Sequence, residues 1–157
     1  MIFGIALGSN LGDRAANIQR GIDLLLARVP GIHLAASAPI YETAPVDCAP
    51  GTQSFLNTVI EVSADCQPHE LHTHLKAIEQ TLGRPEQHAR NSPRTLDLDL
   101  LYADDVISDD PNLILPHPRM HLRRFVLQPL ADIHPDLVLP KQHHTVAHLL
   151  ACLPAEM

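Results

Sequence analysis

The segment Thr95-Leu96-Asp97-Leu98-Asp99-Leu100-Leu101-Tyr102-Ala103 constrains the fold more than any other part of this chain. Leucine alternates with aspartate, and side chains two apart on a strand share a face, about 6.7 Å from each other along the chain. A strand is therefore expected with Leu96, Leu98 and Leu100 on a buried face and Asp97 and Asp99 together on the other. Helices must cover the leucine side of the sheet. Two like charges that close repel, so a cation belongs between them. Oxygen-only donors suit Mg²⁺, which takes one or two carboxylates plus substrate phosphates. Two such ions could clamp a phosphoryl transfer. Arg84, Arg90 and Arg94 precede the strand, and His117, Arg119, Arg123 and Arg124 follow it, cations able to hold phosphate oxygens. A bare D-x-D is more simply a solvated strand face with an aspartate paired to Arg94, and it is the flanking cations that favour a metal.

The rest of the chain supplies the helices. "IFGIALGSN" has the pattern of a first strand ending in a glycine turn. Asp13 is a plausible N-cap, and Ala15, Ile18, Ile22, Leu25, Leu26 and Val29 keep helical spacing up to Pro30-Gly31. "HLAASAPIYET" suits a second strand, with Pro39 marking an edge or a bulge. Residues 44–54 are proline-bearing and loop-like, and "FLNTVIEVSA" is a third strand. Pro68 opens a second helix with Leu71, Leu75, Ile78 and Leu82 on one face and Gly83 as its C′ residue. After a polar loop and the Leu/Asp strand, "LILPHPRMHLRRFVLQPLADI" begins extended and turns helical near Met120. A short helix is expected around Thr145–Leu153. The order is β-α-β-β-α-β, which predicts an α+β, ferredoxin-like split βαβ fold. Its antiparallel sheet has both helices on one face, the other face left to loops and ligand, and C-terminal additions.

The chain has 157 residues and a net charge of -7, so a basic face for nucleic acid is not expected. The cysteines, Cys48, Cys66 and Cys152, are odd in number and far apart, which suits reduced thiols in the cytoplasm. No apolar run reaches the roughly 18 residues of a membrane helix. There is no GxxxxGK[ST] phosphate loop. Eleven histidines invite a zinc reading, with His144 and His148 at helical spacing, but "HELHTH" is not HExxH, and solvated histidines are the plainer expectation.

Six motifs, in order, give the chain a resemblance. They are "ALGSNLGD" near the start, "YETAPV" at 41–46, "FLNTVIEV" at 55–62, "IEQTLGR" at 78–84, "PRTLDLDLL" at 93–101 and "LPHPRMHLRRFVLQPLADI" at 115–133. In these the sequence resembles the 6-hydroxymethyl-7,8-dihydropterin pyrophosphokinases, folate-pathway enzymes that move a pyrophosphoryl group from ATP to a pterin. The resemblance implies a single domain, a monomer, with ATP as co-substrate and two Mg²⁺ ions on Asp97 and Asp99. It implies that Arg84 and Arg94 grip the ATP phosphates. Glu79, Leu100, His117 and Arg123 match positions around the nucleotide. Phe55 and Phe125 match the aromatic pair that sandwiches the pterin, and Asn57 the side chain that reads its edge. Thr43, Pro45 and Val46 match the lining of that pocket. The chain departs from the family's usual pattern at Glu86, Asn91, Asn112, Ile114 and Pro118, and it has no Trp.

Overall fold

A computed structural model describes residues 1–43, 53–83 and 95–154. Among the described residues seven strands and four α-helices follow in the order β1 (Ile2–Ser9), α1 (Arg14–Arg28), β2 (His33–Ser37), β3 (Tyr41–Thr43), β4 (Phe55–Ser63), α2 (Pro68–Thr81), β5 (Asp97–Ala103), β6 (Ser108–Asp110), β7 (Leu113–Leu115), α3 (Arg124–Ile133) and α4 (Val146–Ala151). The architecture is α+β. The main sheet runs β2-β4-β1-β5 with β3 also on β4, and every pairing is antiparallel.

Local chemistry sets the boundaries. The Asp13 carboxylate accepts from the Ala16 backbone N–H at 3.2 Å, starting α1 where a free N–H needs a partner. Gln67 and Glu70 form a capping box at the start of α2, where Pro68 has no N–H to lose. The expected strand across 33–43 is interrupted: Pro39 can donate nothing to a ladder, and β2 and β3 pair with β4 on either side of it. The C-terminal helix is likewise split. Met120–Leu122 form a 3₁₀ turn, Arg123 is extended, and α3 starts only at Arg124.

One face of the sheet carries α1 and α2. Phe3, Ile5, Leu7, Ile60, Leu98 and Leu100 of the strands pack there against Ile18, Leu25, Leu71, Leu75 and Ile78, all buried. The other face is not left wholly to loops, as expected from the helix count. The C-terminal additions cover part of it, with Leu127, Leu130, Leu139 and Val146 packing on Val59, Leu101 and Tyr102.

Two devices shape this second face. Ile5 pairs with Leu100 and Gly4 with Tyr102, so Leu101 is an extra residue, a bulge, and both Leu101 and Tyr102 join the second core. The Tyr102 ring lies flat across Gly4, where a Cβ would come within 2.2 Å of it. The Tyr102 hydroxyl donates to Glu61 on β4, whose carboxylate also meets His134 Nδ1 at 2.8 Å. Burial first, then that hydrogen bond, raises the Tyr102 hydroxyl's pKa and keeps it protonated as a donor.

Candidate active site

The C-terminal end of β1 and the N-terminal ends of β4 and β5 meet on one side of the sheet. Gly8 pairs with Asn57 on one flank and with Asp97 on the other. Ala6, one step along the same face, pairs with Val59 and Asp99. Asn57 and Asp97 thus stand in one row across three strands, and Asp99 in the next row. Both aspartates are partly exposed, while Leu96, Leu98 and Leu100 are nearly fully buried on the opposite face. Leu100 is 4% exposed, so its side chain belongs to the core beneath the site.

Asn57 is buried and oriented. Its Nδ2 donates to Thr43 Oγ1 at 2.8 Å, across the β3–β4 pair. Its Oδ1 lies over Gly8, 2.9 Å from where a Cβ would stand, and the Phe55 ring edge is 3.8 Å from that same point. The absent side chain at Gly8 is what lets the amide and the ring share this space. Gly8→Ala is expected to push the Asn57 amide aside and, on the pterin-reading role that the resemblance implies for Asn57, to raise the pterin KM several-fold with the ATP KM little changed. Steady-state kinetics in both substrates check it, and equal changes in the two KM values would refute it.

His117 is fixed by backbone contacts. Its N–H donates to the carbonyl of Leu101 at 2.7 Å, in the bulge. Its Nδ1 accepts from the Arg119 N–H at 3.2 Å, which leaves Nε2–H as the donor. Burial, then Arg123 and Arg119, push the His117 pKa down to about 4 against the pull of Asp97. As pH falls the unfolded chain, with an ordinary pKa of about 6.5, takes up this proton first. Stability is therefore lost from about pH 6.5 to 4 and unaffected by this group above 6.5. The loss between pH 7 and 5 in urea unfolding is expected to be smaller in His117→Gln than in the parent; equal losses would show an unperturbed imidazole.

Arg123 caps the start of α3, with its guanidinium 5.4 Å from the centroid of the partly buried Phe125 ring, within cation–π range. Arg124, grouped above with the phosphate-holding cations, is placed elsewhere. It donates to Pro154 O at 2.9 Å and Leu153 O at 3.2 Å, tying α3 to the end of the chain. Glu79, 3% exposed, takes the N–H of Leu98 at 2.6 Å. Arg84, Arg94, Pro45 and Val46 lie outside the described residues, as do Arg90, Glu86 and Asn91.

Three residues enter that the motifs did not single out. Gly8 sits between Asn57 and Asp97. Lys76 reaches the backbone of β5, donating to Leu98 O at 3.1 Å. Arg14 ties α1 to β3 and to the residue before β4 through Ser54 O (2.8 Å), Ser54 Oγ (2.9 Å) and Glu42 (3.1 Å). The hydrogen bond from Ser54, then Arg14, holds the exposed Glu42 carboxyl below its usual range. Lys76 could have been suspected from its place three residues before Glu79. The other two depend on pairings the sequence does not display. His144 and His148 stack at 4.3 Å, yet among the described residues no three metal-binding side chains gather anywhere.

Residues 4–135 match the family described as 7,8-dihydro-6-hydroxymethylpterin-pyrophosphokinase. The chain is 40% identical over 148 residues to the 2-amino-4-hydroxy-6-hydroxymethyldihydropteridine pyrophosphokinase of Pseudomonas aeruginosa, covering 94% of this chain and 90% of that protein. The Bacillus subtilis protein of the same name is 41% identical over 129 residues, 82% of this chain and 75% of that one. Folic acid synthesis protein FOL1 of Dictyostelium discoideum is 37% identical over 150 residues, of which this chain spans 22% of the longer protein. Among solved structures, the Plasmodium falciparum HPPK-DHPS wild type with pteroate superposes with a TM-score of 0.73 at 16% identity. That match covers 96% of this chain and 42% of the other, and at this identity it speaks to fold alone.

Proposed function

The chain belongs to the 7,8-dihydro-6-hydroxymethylpterin-pyrophosphokinase family, and on that premise we propose that Asp97 and Asp99 hold two Mg²⁺ ions for ATP beside a pterin pocket of Phe55, Asn57 and Phe125. The enzyme transfers pyrophosphate from ATP to 6-hydroxymethyl-7,8-dihydropterin in folate biosynthesis. The observation that carries the residue assignment is the row Asn57–Gly8–Asp97, which sets an amide able to read a heterocycle beside a carboxylate able to hold a metal.

The donor set fits the metal. Two carboxylates on one strand face, outside the core, offer oxygens alone, and phosphate oxygens and water would complete a Mg²⁺ shell. When bound, the ions neutralise charge on the transferring group. The chain's own residues do the rest. Asn57, held by Thr43, offers Oδ1 as acceptor and its second amide hydrogen as donor to the pterin edge. Phe55 and Phe125 offer aromatic faces to a planar ring, and the resemblance adds Thr43, Pro45 and Val46 to the pterin contacts. His117 presents a neutral Nε2–H donor, and Arg123, Arg84 and Arg94 add charge for the phosphates, with Glu79 and Leu100 near the nucleotide. The hydroxymethyl oxygen bonds to the β-phosphorus. The bond from that phosphorus to the α–β bridging oxygen breaks, AMP leaves with the electron pair, and the hydroxyl proton is lost to water. No covalent enzyme intermediate is needed.

Strand order β2-β4-β1-β5 with α1 and α2 on one face supports a ferredoxin-like split βαβ domain, single and monomeric in this reading. Among the described residues no helix is long and apolar enough to cross a membrane, and the net charge of -7 argues against a nucleic-acid partner. A cytoplasmic location follows from the cysteine usage. The test mixes protein, MgATP and 6-hydroxymethyl-7,8-dihydropterin and resolves the nucleotides. Pterin-dependent AMP is expected. Release of pyrophosphate or phosphate would mark a nucleotidyltransferase or hydrolase, and binding of both ligands without AMP a binding module.

A further inference from the structure

We propose that Lys76 is a positioning residue for the carboxylate pair, acting through the backbone of Leu98. The inference rests on the reading of Asp97 and Asp99 as metal ligands. Among the described residues β5 is an edge strand: it pairs with β1 on one side and with no strand on the other. An edge leaves alternate N–H and C=O groups without ladder partners. At Leu98, the residue between the two aspartates, α2 replaces the missing strand with two side chains. Glu79 Oε2 accepts from Leu98 N at 2.6 Å, and Lys76 Nζ donates to Leu98 O at 3.1 Å. Lys76 and Glu79 are themselves paired, with Nζ 3.3 Å from Oε1.

Each of these contacts has a physical reason to matter at this residue. Asp97 and Asp99 share a face and repel, so the strand between them is pushed to relax unless its backbone is held. Small displacements of metal ligands cost rate, because a site must be kept within about 0.5 Å of its working geometry. Glu79 is 3% exposed and holds its end of Leu98 as a carboxylate; an ammonium beside it offsets part of the desolvation of that charge. Removing the ammonium leaves the Leu98 carbonyl short of a donor and weakens the hold of Glu79 on the N–H. Lys76 itself is 40% exposed at the side chain, and its head group is placed against the strand edge rather than among the buried leucines.

The experiment compares Lys76→Met, Lys76→Gln, Lys76→Arg and Asp97→Asn with the parent enzyme. Pterin-dependent AMP release is measured against Mg²⁺ at saturating ATP and pterin. Affinity for a non-hydrolysable ATP analogue is measured by calorimetry at saturating Mg²⁺. Lys76→Met is expected to raise the Mg²⁺ needed for half-maximal rate several-fold and to lower kcat about tenfold, equivalent to about 1.4 kcal/mol. Its analogue affinity at saturating Mg²⁺ stays within about twofold, less than 0.5 kcal/mol. Lys76→Gln shifts the same way, and Lys76→Arg restores both parameters. A Lys76→Met enzyme with the parent's Mg²⁺ curve overturns the proposal, as does a loss of analogue affinity equal to the loss of rate, which would place the ammonium on the nucleotide. Asp97→Asn separates the two levels: if it too retains the parent's Mg²⁺ curve, the metal reading has failed, and if it alone is dead, only the role of Lys76 has.

Discussion

Asp97→Asn is expected to lower pterin-dependent AMP release by at least about 10³-fold, equivalent to about 4 kcal/mol of transition-state stabilisation. The amide keeps the size of the side chain and removes the charge that a hard cation requires. The fold should survive. Asp97 is partly exposed, lies on the face away from Leu96, Leu98 and Leu100, and pairs through its backbone with Gly8. The thermal midpoint without nucleotide should stay within a few degrees of the parent's, because the changed side chain lies outside the core. Circular dichroism melts and rate measurements at limiting Mg²⁺ check both halves. Near-normal turnover in limiting Mg²⁺ would remove the metal role.

The second large effect concerns stability. Tyr102→Phe is expected to lower the unfolding free energy by about 2 kcal/mol, the scale of stranding a buried group that had been bonded to a charge. Glu61 is 7% exposed and sits near the C-terminal end of β4, with the Tyr102 hydroxyl and His134 Nδ1 both directed at it. Phenylalanine fits the slot over Gly4 as tyrosine does, so the change isolates the hydroxyl. Adding Glu61→Leu to Tyr102→Phe should recover most of the loss, because both polar partners are then gone together and His134, 41% exposed at its side chain, can turn to water. Urea unfolding of the parent, single and double variants reads this directly. A single-variant loss below about 0.5 kcal/mol, the size of an ordinary surface change, would show that the carboxylate is satisfied without the tyrosine.

Much of this was legible from patterns of two and 3.6. The leucine–aspartate alternation separates Leu98 from Asp97 and Asp99, and the stripes at Ile18, Ile22, Leu25 and at Leu71, Leu75, Ile78 identify the faces that α1 and α2 bury. Family motifs, not periodicity, drew attention to Phe55, Asn57 and Phe125. What stayed hidden is non-local. The bulge at Leu101 breaks the alternation just after the aspartates, so Tyr102 lands on a face its parity would deny it. Glu61 looks like an ordinary polar position in "FLNTVIEVS", because its partners are 41 and 73 residues away in sequence. The split of 33–43 into β2 and β3 was foreshadowed by Pro39, whereas the interruption at Arg123 carries no proline or glycine to announce it. Lys76 reads as a solvated helix lysine until α2 is laid beside the edge of β5.

The row Asn57–Gly8–Asp97 has one further consequence. Neighbouring strands are held about 4.8 Å apart by their hydrogen bonds, so two steps across the sheet span nearly 10 Å. That interval is a ruler made of backbone, and no side-chain substitution along it can shorten or stretch it. On the reading proposed here, the ruler lies between the amide that grips the heterocycle and the carboxylates that gather the phosphates. The length of the arm carrying the acceptor hydroxyl is then gauged by the sheet itself. Such an enzyme would choose among pterins by measurement as well as by touch, rejecting a longer arm even when every contact to the ring is satisfied.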